Sequence, residues 1–276
     1  MANLIEFCRE RFKDLNAIEK LSSGGQKEVF VGVHNKYGKV ALKLIELHNE
    51  SNIKRALREL DISSKLNGEE FPNVYEFDFI AVDNRNYIYV LEEYIEGTTL
   101  REFIVNYCPN SEMNEIIDIG NSILVGLEKI HSNNLVHRDI KPENIILDHS
   151  KKKTYILDFG IVRDLTQDSL TADLAIFGPM TIGYAAPEQI QNKKKIICNR
   201  TDLFSWGIIM YEMIKGENPF KVNANSNEAI LHNTLVLDVP ELATTNANLN
   251  YIINKCLEKS VHRRPATARQ VMNLLY

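Results

Sequence analysis

The sequence contains little cysteine and no long apolar run. Its four cysteines are scattered and form no CxxC pair, so they offer neither a cysteine-based zinc site nor a disulfide framework. No uninterrupted apolar stretch approaches the roughly 18 residues that a membrane-spanning helix requires. The most apolar stretch, residues 203–214, is predicted to be a buried helix. We therefore expect a cytoplasmic protein with reduced thiols that does not bind a membrane.

The chain also lacks an excess of basic residues. Its 32 Lys and Arg residues against 37 Asp and Glu residues give a formal net charge of -5 at pH 7, whereas a nucleic-acid binder normally carries a concentrated basic surface. The N-terminal residues 1–15 alternate in charge and show no basic stretch followed by an apolar core, so they do not resemble a signal peptide. Nucleic acid is therefore not expected as a partner, and the oligomeric state stays open.

What the chain does have is a globular composition, with 44% hydrophobic and 25% charged residues over 276 positions. Strand patterns are expected over residues 29–33, 39–44, 74–82 and 87–91. Helical periodicity is expected over residues 50–66, 112–130, 201–215 and 251–259. The predicted fold is α+β, with a β-rich part containing one main helix up to about residue 94. A larger, mainly helical part follows over residues 95–276, with a hinge near residues 93–97.

Two short motifs in the second part of the chain carry chemistry. Residues 137–144 read HRDIKPEN, and residues 158–160, fourteen positions after Asn144, read DFG. This combination resembles the catalytic motifs of the eukaryotic-type (Hanks-type) serine/threonine protein kinases, including their bacterial relatives. The resemblance extends from about residue 16 to about residue 275, and it implies a single bilobal protein kinase domain.

The resemblance implies an ATP-dependent enzyme that transfers the γ-phosphate to a serine or threonine hydroxyl of a protein substrate. It assigns Asp139 as the catalytic base and Lys141 as the lysine beside the transferring phosphate. Asn144 and Asp158 would supply the hard oxygen ligands that Mg²⁺ prefers, with Mn²⁺ as an alternative metal.

Further positions resemble the ATP-binding residues of the family. Lys43, in the run Val-Ala-Leu-Lys, matches the third-strand lysine that reaches the α- and β-phosphates, and Glu59 stands where its ion-pair partner belongs. Backbone groups of Glu93 and Ile95 are implied to bind adenine. The other ATP-binding positions implied by the resemblance are Leu21, Ser22, Gly24, Gly25, Val29 and Ala41.

Three positions around the expected nucleotide pocket depart from the pattern of the family. Ser22 and Lys27 stand where the glycine-rich loop has its first and third glycines. Glu92 takes the gatekeeper position at the back of the nucleotide pocket, where an apolar residue or threonine is commoner. Because a buried, unpaired carboxylate is costly, we expect Glu92 to have a hydrogen-bonding or charged partner or to reach water. We also expect the substitution Glu92→Met to leave ATP turnover measurable.

Residues 161–188 have the length and the ending of an activation segment. Thr181 matches the threonine that serine/threonine kinases keep near the catalytic aspartate, with Met180 in place of the usual glycine before it. Arg138 and Arg163 are basic groups that could receive a phosphate from this segment. The candidate phosphorylation sites are Thr166, Ser169 and Thr171.

Four more residues have expected structural or recognition roles by the same resemblance. Asp202 resembles the buried aspartate that anchors the catalytic loop, and Arg264 resembles the arginine that pairs with Glu188. Glu143 would favour a basic residue before the acceptor in the substrate.

Two alternatives to an active protein kinase stay open. A pseudokinase would keep the fold as a nucleotide-binding scaffold, but it usually loses a residue equivalent to Lys43, Asp139 or Asp158, and all three are present. A small-molecule kinase of related fold usually lacks the docking signature that residues 181–188 carry. Transfer of labelled phosphate from ATP to a protein acceptor separates these readings.

Overall fold

The computed structural model describes residues 4–24, 27–48, 50–66, 70–108, 111–158, 163–164 and 180–275. The chain divides into two compact units, one reaching to Glu96 and including Asp158, the other beginning at Gly97. The first unit is built mainly of strands and the second mainly of helices. The predicted α+β class is therefore confirmed.

The first unit contains an antiparallel five-stranded sheet in the order β1-β2-β3-β5-β4. Its strands are β1 (Leu15–Gly24), β2 (Lys27–His34), β3 (Gly38–Leu47), β4 (Val74–Val82) and β5 (Arg85–Glu93). The four predicted strands all lie within β2 to β5, and β4 has the predicted bounds. The edge strand β1 was not predicted.

Both faces of this sheet carry buried apolar side chains, because successive residues of a strand point to opposite faces. On one face, Leu42 and neighbouring apolar residues pack with Cys8 from the N-terminal helix α1 (Leu4–Arg11). On the other face, Val90 packs with Leu60 from helix α2 (Glu50–Lys65). Burial raises the pKa of the Cys8 thiol to about 12, so this cysteine is a core residue and not a reactive thiolate.

The second unit is organised around two long helices, α4 and α6. Its helices are α3 (Leu100–Asn106), α4 (Met113–Ser132), α5 (Pro187–Ile190), α6 (Asn199–Lys215), α7 (Asn227–Val236), α8 (Ala247–Cys256) and α9 (Ala268–Leu275). Trp206 of α6 is fully buried, and its indole Nε1 donates to the Gly120 carbonyl oxygen of α4 at 2.9 Å. A Cβ at Gly120 would press on the thioether of Met210, so a larger residue at this position would require that flexible side chain to move.

Short strands frame the loops of the second unit. They are β6 (Thr98–Thr99), β7 (Leu135–Val136), β8 (Ile145–Asp148), β9 (Lys153–Ile156) and β10 (Arg163–Asp164). Strands β6, β8 and β9 form one sheet, and β7 pairs with β10. No helix in the described ranges is long and apolar enough to cross a bilayer.

The predicted helices exist, but their ends need correction. The helix expected over residues 251–259 is α8, which begins at Ala247 because Asn246 caps it by accepting a hydrogen bond from the Leu249 N–H at 2.9 Å. It ends at Cys256. The helix expected over residues 112–130 runs to Ser132, that over 201–215 begins at Asn199, and that over 50–66 ends at Lys65. The stretch 203–214 is the buried interior of α6, as predicted.

Candidate active site

The loop that carries Asp139 is anchored by a buried carboxylate. After β7 the chain turns through Arg138, which has a positive φ of 71°. Asp202 of α6 is fully buried and accepts hydrogen bonds from the His137 N–H at 2.9 Å and the Arg138 N–H at 2.8 Å. His131 Nε2 lies 2.9 Å from the same carboxylate. Asp202 therefore holds the backbone of the loop, as the sequence predicted.

Four of the predicted site residues meet at the Asp139 carboxylate. Lys141 Nζ lies 2.8 Å from Asp139 Oδ2 and donates to Thr181 Oγ1 at 2.9 Å. Thr181 Oγ1 in turn donates to Asp139 Oδ1 at 2.5 Å. Asn144 Nδ2 donates to Asp139 Oδ2 and to the Asp139 carbonyl oxygen, both at 3.0 Å. We call these four residues the Asp139 cluster.

The Asp139 cluster fixes the direction of every polar group in it. Because the ammonium, the hydroxyl and the amide all donate to Asp139, this carboxylate is held as an acceptor with both oxygens oriented. The Nδ2 of Asn144 donates to Asp139, so the side-chain oxygen of Asn144 is directed away from that carboxylate. Within this short, anchored loop the Asp139 carboxylate can act as a proton acceptor. The Asn144 amide oxygen beside it can bind a hard cation.

The first unit holds a buried ion pair between Lys43 and Glu92. Lys43 Nζ contacts Glu92 Oε1, and the side chains are only 12% and 11% exposed. The expected partner of Glu92 is therefore a charged one, the lysine of the Val-Ala-Leu-Lys run. Glu59, the partner that the resemblance assigns to Lys43, belongs to α2, but its side chain lies outside the described residues.

The predicted glycine-rich loop joins β1 to β2. Gly24 ends β1 and is paired in register with Lys27 at the start of β2, while Gly25 lies outside the described residues. Lys27 Nζ lies 3.4 Å from Asp158 Oδ1. Sequence reasoning did not find this contact, because the two residues are far apart in the chain. Lys27 thus places a positive charge beside the expected metal ligand.

The expected adenine-binding segment follows the end of β5. The Glu93 N–H donates to the Asn73 carbonyl oxygen at 2.8 Å, and the Glu93 carboxylate accepts from Asn73 Nδ2 at 2.7 Å. This N–H is already used, so any contact of the Glu93 backbone with adenine would have to be made by its carbonyl oxygen. Ile95, the other residue expected to bind adenine, is buried.

Two arginine–carboxylate groupings stabilise the second unit around the cluster. Arg264 donates to both carboxylate oxygens of Glu188, at 2.8 and 2.9 Å, as the sequence predicted. Arg101 bridges Glu143 and Glu212, at 2.8 Å each, and also contacts the Tyr184 hydroxyl. Burial and the nearby Glu212 carboxylate raise the pKa of Tyr184, so it stays a phenol that donates to Glu212. No pattern in the sequence indicated this second grouping.

The structure describes only part of the predicted activation segment, residues 163–164 and 180–188. The candidate phosphorylation sites Thr166, Ser169 and Thr171 lie outside the described residues, as does the side chain of Arg163. Met180 is partly buried next to Thr181. Among the described residues there is no group of three or more His, Cys, Asp or Glu that could hold a metal ion by itself.

Comparison with known proteins agrees with this geometry. A family model described as the protein kinase domain matches residues 15–276. A probable serine/threonine-protein kinase of Clostridium acetobutylicum is 30% identical over 271 residues, which cover 93% of this chain and 38% of that protein.

Two further relatives are similar over most of the chain. The serine/threonine-protein kinase PrkC of Bacillus subtilis is 27% identical, with 82% of this chain and 34% of that protein covered. The serine/threonine-protein kinase PknL of Mycobacterium tuberculosis is 31% identical, with 90% and 60% covered. The chain therefore spans between 34% and 60% of the length of these three relatives.

Proposed function

This chain belongs to the protein kinase domain family, and we propose on that premise that it is an ATP-dependent serine/threonine protein kinase. The Asp139 cluster carries the proposal, because it joins a proton acceptor, a lysine and a threonine by direct contacts. The similar proteins named above are all described as serine/threonine kinases, which supports the same acceptor class.

In the proposed reaction the oxygen of a serine or threonine hydroxyl forms a bond to the γ-phosphorus of ATP as the bond to the ADP oxygen breaks. Asp139 orients the hydroxyl and takes its proton late in the transfer. Lys141 lies 2.8 Å from that carboxylate and neutralises charge on the transferring phosphoryl group. Lys43 would bind the α- and β-phosphates.

Magnesium fits the residues proposed to hold it. Asn144 directs its amide oxygen away from Asp139, and Asp158 is 38% exposed, so both can present oxygen to an ion. Bound magnesium neutralises the negative charge of the phosphates. Lys27, beside Asp158, would share this carboxylate with the metal.

The experiment that tests the proposal is phosphate transfer with identification of the acceptor. Purified protein is incubated with γ-labelled ATP, Mg²⁺ or Mn²⁺ and a generic protein acceptor, and the product is hydrolysed to phosphoamino acids. We expect labelled phosphoserine or phosphothreonine. Labelled phosphotyrosine alone would contradict the acceptor class, and no transfer with either metal would favour a nucleotide-binding scaffold.

The hydroxyl of Thr181 is expected to matter for turnover. The hydroxyl bridges Asp139 and Lys141. Thr181→Ala should therefore lower kcat about ten-fold, because both side chains lose a hydrogen bond that orients them. Thr181→Ser keeps the hydroxyl and should stay within about three-fold of the wild type. Steady-state kinetics on one protein substrate measures both, and equal losses in the two variants would exclude a role for the hydroxyl.

We also propose that the kinase phosphorylates its own activation segment, at Thr166, Ser169 or Thr171. A phosphate bound by Arg138 would be coupled to the catalytic loop, because Arg138 directly precedes Asp139. Mass spectrometry of freshly active protein should find phosphate on this stretch, and phosphatase treatment should lower the rate. An unmodified stretch with an unchanged rate would contradict this regulation.

Substrate preference and compartment belong to the same proposal. Arg101 already pairs with Glu143, which argues against the earlier hypothesis that Glu143 selects a basic residue in the substrate. All four cysteines are free thiols, which is typical of a reducing compartment and supports a reaction in the cytoplasm.

A further inference from the structure

The contact between Lys43 and Glu92 follows from the register of the sheet. Strands β3 and β5 are antiparallel, with Ala41 opposite Glu92 and Lys43 opposite Val90. Lys43 and Glu92 are therefore diagonal neighbours on one face, within reach of each other when both side chains are long. The lysine is thus paired with a residue of the sheet itself.

Because their surroundings are apolar, the Lys43 ammonium and the Glu92 carboxylate each need the other as a partner. The same face carries Val90, which is 4% exposed and packs with Leu60 of α2. A carboxylate in such a place is costly to leave unpaired, and so is an ammonium. The Lys39–Glu96 pair, also made by a β3 lysine, has side chains that are 47% and 73% exposed, so it lacks this constraint.

We propose that Glu92 is the residue that positions Lys43 for phosphoryl transfer, a task that the pattern of the family assigns to Glu59. This inference rests on the proposed function, because Lys43 needs positioning only if it contacts nucleotide phosphates. An ammonium has three N–H donors. One is used on Glu92, and two remain for phosphate oxygens.

The strand location explains why Glu92 suits this task. A lysine side chain has four rotatable bonds, and a fixed carboxylate two residues along the neighbouring strand removes most of that freedom. The backbone of β5 is paired along its length with β3 on one side and β4 on the other. The orientation of Lys43 is therefore set by the sheet, and Glu92 acts on the reaction through Lys43 and not through contact with the reacting atoms.

The test compares Glu92→Gln and Glu92→Met with the matched control Glu96→Gln. Glutamine keeps the size and an oxygen that accepts from Lys43, whereas methionine removes the interaction. Removing a preorganised donor outright costs about 10²–10³-fold in kcat. Because Lys43 itself remains, we expect about a ten-fold loss of kcat in Glu92→Gln and a larger but measurable loss in Glu92→Met. Glu96→Gln should stay within about two-fold of the wild type.

Nucleotide binding supplies a readout that a general structural defect would not give. Isothermal titration calorimetry with ATP and with adenosine should show about a five-fold weaker ATP affinity in Glu92→Gln, with adenosine affinity within about two-fold of the wild type. The difference arises because Lys43 contacts phosphates and not the base. A parallel loss for both ligands would mean that Glu92 acts on the adenine pocket or on folding, and would overturn the proposal.

A double-mutant cycle with Lys43→Met closes the test. If Glu92 acts through Lys43, Glu92→Met should lower the residual kcat of Lys43→Met by less than about two-fold. A full additional loss, or single variants of Glu92 with wild-type kinetics, would contradict the proposal. Absence of transfer by the wild type would overturn the proposed function, whereas the ratio of ATP to adenosine affinity is measured without turnover and would still test whether Glu92 positions Lys43 for phosphate binding.

Discussion

Asp139→Asn should lower the rate of phosphate transfer by about a thousand-fold while leaving the protein folded. The amide cannot take the proton of the acceptor hydroxyl, and general-base catalysis is typically worth about 10²–10⁴-fold. Asparagine has the size of aspartate, and its single oxygen can still accept from Lys141 and Asn144, while its amide group takes the place of the oxygen that accepts from Thr181. The loss should therefore be in kcat, with little change in the affinity for ATP.

The matched control for this variant is Asp238→Asn. Asp238 is an exposed aspartate of the second unit, outside the helices, so the same change of one carboxylate to an amide should leave kcat within about two-fold. Both variants are compared with the wild type by steady-state kinetics and by thermal unfolding. Transfer that persists in Asp139→Asn at more than about a tenth of the wild-type rate would remove Asp139 from the role of base.

Arg264→Met should destabilise the second unit by about 3–5 kcal/mol, because it leaves a carboxylate buried without its partner. The side chains of Arg264 and Glu188 are 0% and 1% exposed. Thr201 Oγ1 still donates to Glu188 at 2.8 Å, but one neutral hydroxyl does not compensate for the lost guanidinium. Urea unfolding followed by circular dichroism measures the change.

The double variant Arg264→Met/Glu188→Gln distinguishes the cost of one buried, unpaired charge from the cost of losing the whole ion pair. Removing both charges should recover part of the loss, because no buried ion is left alone. Recovery should be incomplete, since Arg264 also donates to the carbonyl oxygens of Glu258 at 2.7 Å and Arg200 at 3.1 Å. The exposed pair offers the control: Lys39→Met should cost no more than about 1 kcal/mol. A double variant as unstable as the sum of the singles would contradict this account.

The Asp139 cluster could be predicted because three of its members lie within one short motif. A run of six residues brings Asp139, Lys141 and Asn144 together locally, and the resemblance supplied Thr181 as the fourth member. The anchoring of the loop by Asp202 was predicted in the same way. The contacts between Asp139 and Asn144 lie within this loop, whereas the contacts with Thr181 and Asp202 join distant parts of the chain and were implied only by the resemblance.

The Lys43–Glu92 pair could be predicted only in part. The sequence required a partner for a carboxylate at position 92, since burial without one is costly. Which partner it has depends on the register between β3 and β5, and a shift by one residue would turn Glu92 to the other face. Register is set by the whole sheet, so it was beyond the reach of local reasoning.

Elements with weak local signals were missed. Helix α1 is short, and β1 contains mixed polar residues with two irregularities in its pairing with β2. Both are stabilised by packing with the rest of the sheet, since Leu15 and Ile18 of β1 and Cys8 of α1 are buried in the same core. The contact between Lys27 and Asp158 likewise joins distant parts of the chain, so no pattern within either segment could have indicated it.

A crystal structure with Mg²⁺ and a non-hydrolysable ATP analogue tests the central claim most directly. We expect the side-chain oxygen of Asn144 about 2.1 Å from a magnesium ion, with Asp158 as a second ligand. The Asp139 carboxylate should still be bonded to Lys141 and Thr181. A nucleotide bound elsewhere, or a metal ion that neither Asn144 nor Asp158 contacts, would contradict the assignment of this site to phosphoryl transfer.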